Sequence, residues 1–328
     1  MGKIERIKTA DMSRIDWLEE RRKSIGGSEI GAILGLNRYQ SPYSVWANKT
    51  GRLPDSEQNE AMRQGTDLEE YVASRFMEAT GLKVERCNFL MRNTDYPHLH
   101  ANIDRRIVGQ KAGLECKTAS ALNEKRFQNG NFPSSYYAQC VSYLAVTELE
   151  RWFLAVVVLG RDFKIFQMTT IEDDQIPDWC ESSVYVSPAE FEGLKDAAIE
   201  FWGYVENDEA PPIDGMPSTT DAIKTIYADA DPEEVADLFG LEDVLDELPK
   251  AIMEKKAAEM KVDELQNKIK DRLGTASIGT HERYEVTWRE QTRTSLDTKA
   301  LQKAHPELDL APFQKVSKFR KFNVKEIK

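Results

Sequence analysis

No run of roughly 18 apolar residues occurs in the 328-residue sequence, so nothing in it reads as a membrane-spanning helix. The opening stretch, MGKIERIKTADMSRIDW, lacks a basic start followed by an apolar block, and a secretory leader is not expected. Cysteine is scarce: Cys87, Cys116, Cys140 and Cys180 lie far apart among apolar or aromatic neighbours. That spacing excludes a disulfide framework and a paired-cysteine zinc site, so four buried thiols in a cytoplasmic protein are expected. His98, His281 and His305 have no ligand-like spacing, and His100 reads as a core, surface or site-lining residue. There is no internal repeat and no low-complexity tract. With 41% hydrophobic and 30% charged residues, the chain has enough apolar mass for one or two cores, which excludes disorder.

An excess of basic charge is also missing, since the formal net charge is -12. Its distribution matters more than its sum. Residues 171–248 carry 23 Asp and Glu against 2 Lys and Arg, whereas residues 249–328 carry 18 basic against 12 acidic side chains. The first 170 residues are mildly basic as well. An acidic middle thus separates two ends that remain able to meet phosphate.

Apolar spacing places helical segments from Ile15 to Trp46, with Ser28 as a natural N-cap for EIGAILG, and another from Ala61 to Thr80 ending at Gly81. Short strands follow over Lys83–Arg92, Ala101–Val108 and Gly113–Thr118, as in a meander. Ser134–Val146 is helical, and WFLAVVVL and FKIFQMTT flank Gly160-Arg161-Asp162 as a hairpin. The first half therefore predicts an α/β or α+β core, a mixed sheet with helices on its faces. Ala210-Pro211-Pro212 is the best linker, which divides the chain into 1–209 and a mainly helical extension, 210–328. Within the extension, apolar residues recur from Leu241 to Leu273, a helix near 50 Å long at about 1.5 Å per residue that needs another helix to pair with. Tyr284–Trp288 and Gln291–Ser295 suggest a hairpin, before the basic tail KVSKFRKFNVK.

Chemistry gathers at one place. Asp104 ends a predicted strand, and Glu115 and Lys117 lie on the next, where alternation puts both on one face with Cys116 opposite. Carboxylates that converge at a sheet end repel unless a hard divalent cation joins them, and Mg2+ takes one or two plus waters and substrate phosphate. A lysine beside such an ion holds or deprotonates attacking water. Asp, about ten residues, then Glu-x-Lys also arises by chance in solvated hairpins, so the flanking sequence has to arbitrate.

WLEERRKSIGGSEIGAILG (Trp17–Gly35), QGTDLEEYVASRF (Gln64–Phe76), NIDRRIVGQKAGLECKTA (Asn102–Ala119) and YYAQCVSYLAV (Tyr136–Val146) occur in the order and spacing of one nuclease family. Together they resemble the YqaJ viral recombinase family, phage-type exonucleases similar to lambda exonuclease within the PD-(D/E)xK superfamily. The resemblance spans about residues 15–170 and implies a PD-(D/E)xK restriction-endonuclease-like core. It implies Asp104, Glu115 and Glu69 as metal ligands, Lys117 as the catalytic lysine, and Gln139, with Tyr143 one turn on, as the family's Gln-xxx-Tyr helix. It also implies Arg21 and Ser28 as ligands of a DNA 5'-phosphate, with Arg22 as a second candidate for the arginine. A helix start after Gly26-Gly27 offers free N–H groups for that phosphate. Ile103 departs from the pattern, which usually has proline before the aspartate; strand geometry is affected more than chemistry. No cysteine follows Cys180, so the iron-sulfur cluster of some superfamily members has no ligands here.

The resulting expectation is a Mg2+-dependent exonuclease, Mn2+ being the alternative metal, that degrades double-stranded DNA from its ends, 5' to 3'. The resemblance further implies a phage or prophage protein, a ring-shaped trimer, a single-strand annealing partner and no membrane association. An endonuclease or nickase of the same fold, and a DNA-end-binding protein with a decayed site, are the alternatives. Retention of Asp104, Glu115, Lys117 and Gln139 together speaks against decay.

Overall fold

The computed structural model describes residues 2–55, 59–313, 320–322 and 324, so the basic tail falls largely outside the described residues. The chain forms two compact units, Met1–Ala228 and Asp229–Lys328. In chain order the first contains β1 (Ile4–Lys8), α1 (Arg14–Arg22), β2 (Ile25–Gly26), α2 (Gly27–Ile33), α3 (Pro42–Lys49), α4 (Glu60–Thr80), β3 (Val84–Arg86), β4 (Phe89–Asn93), β5 (Tyr96–Asn102), β6 (Arg105–Ile107) and β7 (Ala112–Ala119). It continues with α5 (Ser134–Thr147), β8 (Arg151–Val158), β9 (Asp162–Thr169), β10 (Ser182–Tyr185), α6 (Pro188–Glu206) and α7 (Pro217–Ile226).

The mixed α/β class is as the patterning predicts, but the strands divide into two mixed sheets flanked by helices rather than one. One has the order β10-β9-β8-β7-β6-β3 and the other β1-β4-β5-β2. Strands β7 and β8 are parallel, and a parallel neighbour requires a crossover, which α5 provides. Successive residues of β7 and β8 point to opposite faces. Leu114, Cys116, Phe153 and Ala155 pack with Val72, Ala73 and Phe76 of α4. On the other face Leu154 and Val156 pack with Val141 and Leu144 of α5. Both faces are thus covered, which is why β8 reads as an unbroken apolar run rather than an alternating one.

Several boundaries differ from the sequence reading. Lys83–Arg92 is not one strand: β3 belongs to the six-stranded sheet and β4 to the other. Ala101–Val108 is likewise interrupted, because β5 and β6 lie in different sheets and Asp104 occupies the bend between them. Ser28 is not the N-cap of α2. Gly26 takes that place in extended backbone, its N–H donating to Glu29 Oε2 at 2.7 Å, and Ser28 lies within the first turn. Helix α4 ends as expected, on Gly81 at φ +71°. The first unit extends past the Pro211-Pro212 linker, because α7 docks on it through buried Thr219 and Ala222, with Thr219 Oγ1 donating to Ser41 Oγ at 2.7 Å.

The second unit contains α8 (Glu242–Leu273), β11 (Ile278–His281), β12 (Tyr284–Thr287) and α9 (Thr298–Ala304). The expected long helix is continuous through Pro249, and none of its residues is buried. Tyr284–Thr287 pairs with Ile278–His281 rather than with Gln291–Ser295, since Glu282, at φ +34°, and Arg283 form a two-residue turn. Among the described residues no helix is long and apolar enough to cross a membrane.

Candidate active site

Strand β7 carries the centre of the site. Glu115 and Lys117 project on the α5 side, with Lys117 Nζ 2.5 Å from Glu115 Oε1. From α5, Gln139 Nε2 donates to the same Oε1 at 2.7 Å and to the Tyr143 hydroxyl at 2.9 Å. These two residues are one helical turn apart, so α5 presents both to β7 from the same side. Glu115 is buried, and its Oε2 has no partner among the described residues. The bend after β5 brings in Asp104, whose Oδ2 accepts the Cys116 N–H at 2.8 Å. That bond explains how the chain leaves one sheet and enters another while keeping the carboxylate beside β7. Buried Ile103 anchors the bend in the core, the position where the resembled pattern has proline.

The electrostatics are those of crowded acid. Burial, then the negative charge of Glu115, pushes the Asp104 carboxyl well above its ordinary value. Burial alone would lower Lys117, but the Glu115 and Asp104 carboxylates outweigh it and hold the ammonium protonated well above the usual lysine range. An orphaned carboxylate oxygen beside a second carboxylate is the donor set that a hard cation completes. Among the described residues no three His, Cys, Asp or Glu side chains gather closely enough to ligate a metal by themselves. Two protein carboxylates suffice for Mg2+, which keeps waters and binds substrate phosphate. Glu69 of α4 lines the same cleft but is engaged by Arg105 Nη1, while Arg105 Nη2 holds Glu70 at 3.0 Å.

One cleft of about 1160 Å³ contains Asp104, Glu115, Lys117 and Glu69 together with Arg21, Arg22 and Ser28. Gln139 and Tyr143 stand behind it. The Arg21 guanidinium lies over the Trp17 ring, 4.6 Å from its centroid, and Ser28 is exposed at the start of α2. Arg22 lines the cleft as well but is engaged there by Asp55 in an ion pair, whereas Arg21 stacks on Trp17.

Of two buried polar side chains beside the cleft, Lys49 escaped the sequence reading and His100 takes the core role, one of those the sequence reading allowed. Lys49 of α3 is almost wholly enclosed, with Nζ 2.7 Å from Glu29 Oε2 and donating to the Arg21 carbonyl at 2.9 Å. Nothing local in PYSVWANK marks it, because its partners lie 20 and 28 residues away in the chain. His100 is a core residue. Its Nδ1 is 2.9 Å from Ser24 Oγ, its Nε2 lacks a partner among the described residues, and burial followed by the charges of Arg21, Lys49 and Arg92 holds its pKa well below the ordinary value. The two glycines before Ser28 are demanded by close approach. A Cβ on Gly26 would lie 3.0 Å from His100 Nε2, and one on Gly27 only 2.4 Å from Tyr143 Cε1.

The mixed sheet thus gathers two carboxylates and a lysine, backed by a glutamine, at a cleft whose lining mixes basic and acidic side chains, Arg21, Arg22 and Lys49 among the former and Glu29, Asp55 and Glu69 among the latter. Residues 16–150 match the YqaJ-like viral recombinase domain. The chain is 35% identical, over 98% of its length and 97% of the relative's, to the uncharacterized protein YqaJ of Bacillus subtilis (strain 168). It therefore belongs to the YqaJ family. Matches among solved structures include LHK-Exo in complex with dAMP (16% identity, 59% of this chain and 93% of that one, TM-score 0.47). The alkaline exonuclease LHK-Exo from Laribacter hongkongensis matches over the same shares at 16% identity and TM-score 0.45. A phage-related exonuclease from Haemophilus somnus 129PT matches at 10% identity over 56% of this chain and 96% of that one, with TM-score 0.39.

Proposed function

We propose that the protein is a divalent-metal-dependent exonuclease that hydrolyses double-stranded DNA from a 5'-phosphorylated end, leaving a 3' single strand for recombination. The observation that carries this reading is the presence of Asp104, Glu115 and Lys117 in one cleft with Arg21 and Ser28. Asp104 and Glu115 would hold the ion, Mg2+ or Mn2+, and Glu69 would join them only on release from Arg105. When bound, the ion neutralises charge on the scissile phosphate and its leaving oxygen. The Cys116 N–H fixes Asp104, and the Gln139 amide fixes Glu115, so neither carboxylate has to reorganise on binding substrate. Lys117, with Nζ 2.5 Å from Glu115 Oε1, is placed to hold the attacking water or to take its proton. Arg21 and the Ser28 hydroxyl receive the terminal phosphate, which sets how far the duplex end enters the cleft.

A linear duplex with a 5'-phosphate, labelled at either end, tests the proposal with Mg2+ or with EDTA, beside a covalently closed circle. Metal-dependent loss of the 5' label with the circle intact is the expected result. A cut circle points to an endonuclease instead, and Mg2+-dependent cleavage undiminished in Lys117→Ala shows that the assigned site is wrong. The ring trimer and the single-strand annealing partner belong to the same proposal and rest on the family resemblance.

A further inference from the structure

The long helix of the second unit carries an apolar stripe in water. Leu248, Val262 and Ile269 share one position of a seven-residue repeat, and Val244, Ala258 and Leu265 share the position four residues earlier or three later. Val244 is 60% exposed, Val262 52% and Leu265 49%, and no residue of the 32-residue helix is buried. A helix that displays a seven-residue apolar seam over its length is stabilised by a partner helix seated along it.

The charges beside the seam say which partner. The position immediately before each first-seam residue is occupied in turn by Glu247, Glu254, Lys261 and Lys268, acidic in the first half and basic in the second. In an antiparallel pair this flank faces the same flank of the other helix. With the two-fold centre near Ala257, Glu247 meets Lys268 of the second copy and Glu254 meets its Lys261, and symmetry repeats both contacts. In a parallel pair Glu254 would instead face Glu259 of the other copy. Lys255 enters the seam near the centre, opposite Ala258 of the second copy, whose small side chain leaves room for the lysine stem. Its ammonium is already 3.8 Å from Glu259 of its own helix. A charged seam residue flanked by alanine near the centre discriminates against shifted registers.

We infer that α8 is a self-association element: two copies of the chain join through an antiparallel α8–α8 coiled coil in which Glu247 and Glu254 face Lys268 and Lys261 of the second copy. The inference is independent of the nuclease reading, and its test does not use catalysis. Sedimentation velocity of the full chain over a concentration series is expected to show assembly into an even number of copies, six where two ring trimers of the proposed function join through α8. Glu247→Lys with Glu254→Lys should weaken that association at least tenfold and halve the copy number, because four attractive contacts become repulsive. Lys261→Glu with Lys268→Glu should do the same. An equimolar mixture of the two double variants, and the fourfold swap carrying all four substitutions, should each restore assembly. The swap also keeps composition, so its circular dichroism serves as the folding control. A wild-type chain that stays at an odd copy number, double variants that associate normally, or a mixture and swap that both fail would each overturn the antiparallel self-pairing. Such results would leave the stripe to another surface of the chain or to a different protein.

Discussion

Gln139→Leu removes one donor from a buried carboxylate while nearly preserving volume, and its cost can be worked from the geometry. Glu115 Oε1 holds two partners, the Gln139 amide at 2.7 Å and Lys117 Nζ at 2.5 Å, and Oε2 holds none among the described residues. A hydrogen bond to a charged group contributes about 1.5–3 kcal/mol. If it serves to keep Glu115 in place for the reaction, its loss raises the barrier by that amount, a factor of roughly 10 to 150 in rate. Gel-resolved digestion of a 5'-labelled duplex under single-turnover conditions measures this. A urea midpoint on the same sample shows whether unfolding contributes. Tyr143→Phe is the companion: it removes only the acceptor for the other amide hydrogen, leaves the Glu115 contact intact, and should change the rate no more than about threefold, well under the loss of a charged hydrogen bond. A Gln139→Leu protein that is folded and cleaves within threefold of wild type refutes the argument that the amide positions Glu115.

Arg21→Ala should slow digestion of 5'-phosphorylated ends at least about tenfold, as loss of one charge-assisted contact implies, and 5'-hydroxyl ends much less. Arg22→Ala, whose guanidinium is spent on Asp55, should affect neither; an equal effect of both would remove the assignment of Arg21. Gly27→Ala places a methyl group 2.4 Å from the Tyr143 ring and 2.8 Å from Ser142 Oγ, both buried, and should lower stability by about 1–3 kcal/mol, read from the urea midpoint. The pH dependence of stability should include a His100 component. Its folded pKa lies well below the unfolded 6.5, so the folded state binds fewer protons and this contribution, full above pH 6.5, is lost as the pH falls below it. Between pH 7.5 and 5.5 wild type should therefore lose more stability than His100→Gln, by up to about 1.4 kcal/mol per pH unit below 6.5. Equal losses in the two proteins would remove His100 from the account.

Where information is local, the sequence by itself was decisive. The spacing of Leu68, Val72 and Phe76 with Gly81 behind it defines α4, because helical periodicity and a left-handed cap act within a few residues. The paired runs around Gly160 define β8 and β9 for the same reason. Glu115 and Lys117 could be set on one face of one strand, since alternation is a property of the backbone, and the family motifs then named Asp104, Gln139 and Arg21. Tertiary structure decided the rest. Asp104 sits in a bend rather than at a strand end because its carboxylate binds the Cys116 N–H, a contact across 12 residues that no pattern encodes. Arg22 and Glu69 are drawn off by Asp55 and Arg105, and Lys49 is drawn into the base of the cleft by Glu29. Ion pairing depends on which charges the fold brings within a few ångströms, whereas periodicity is written along the chain. Hence the list of chemical groups was legible in the order of residues, but which of them are free to act was settled only by folding.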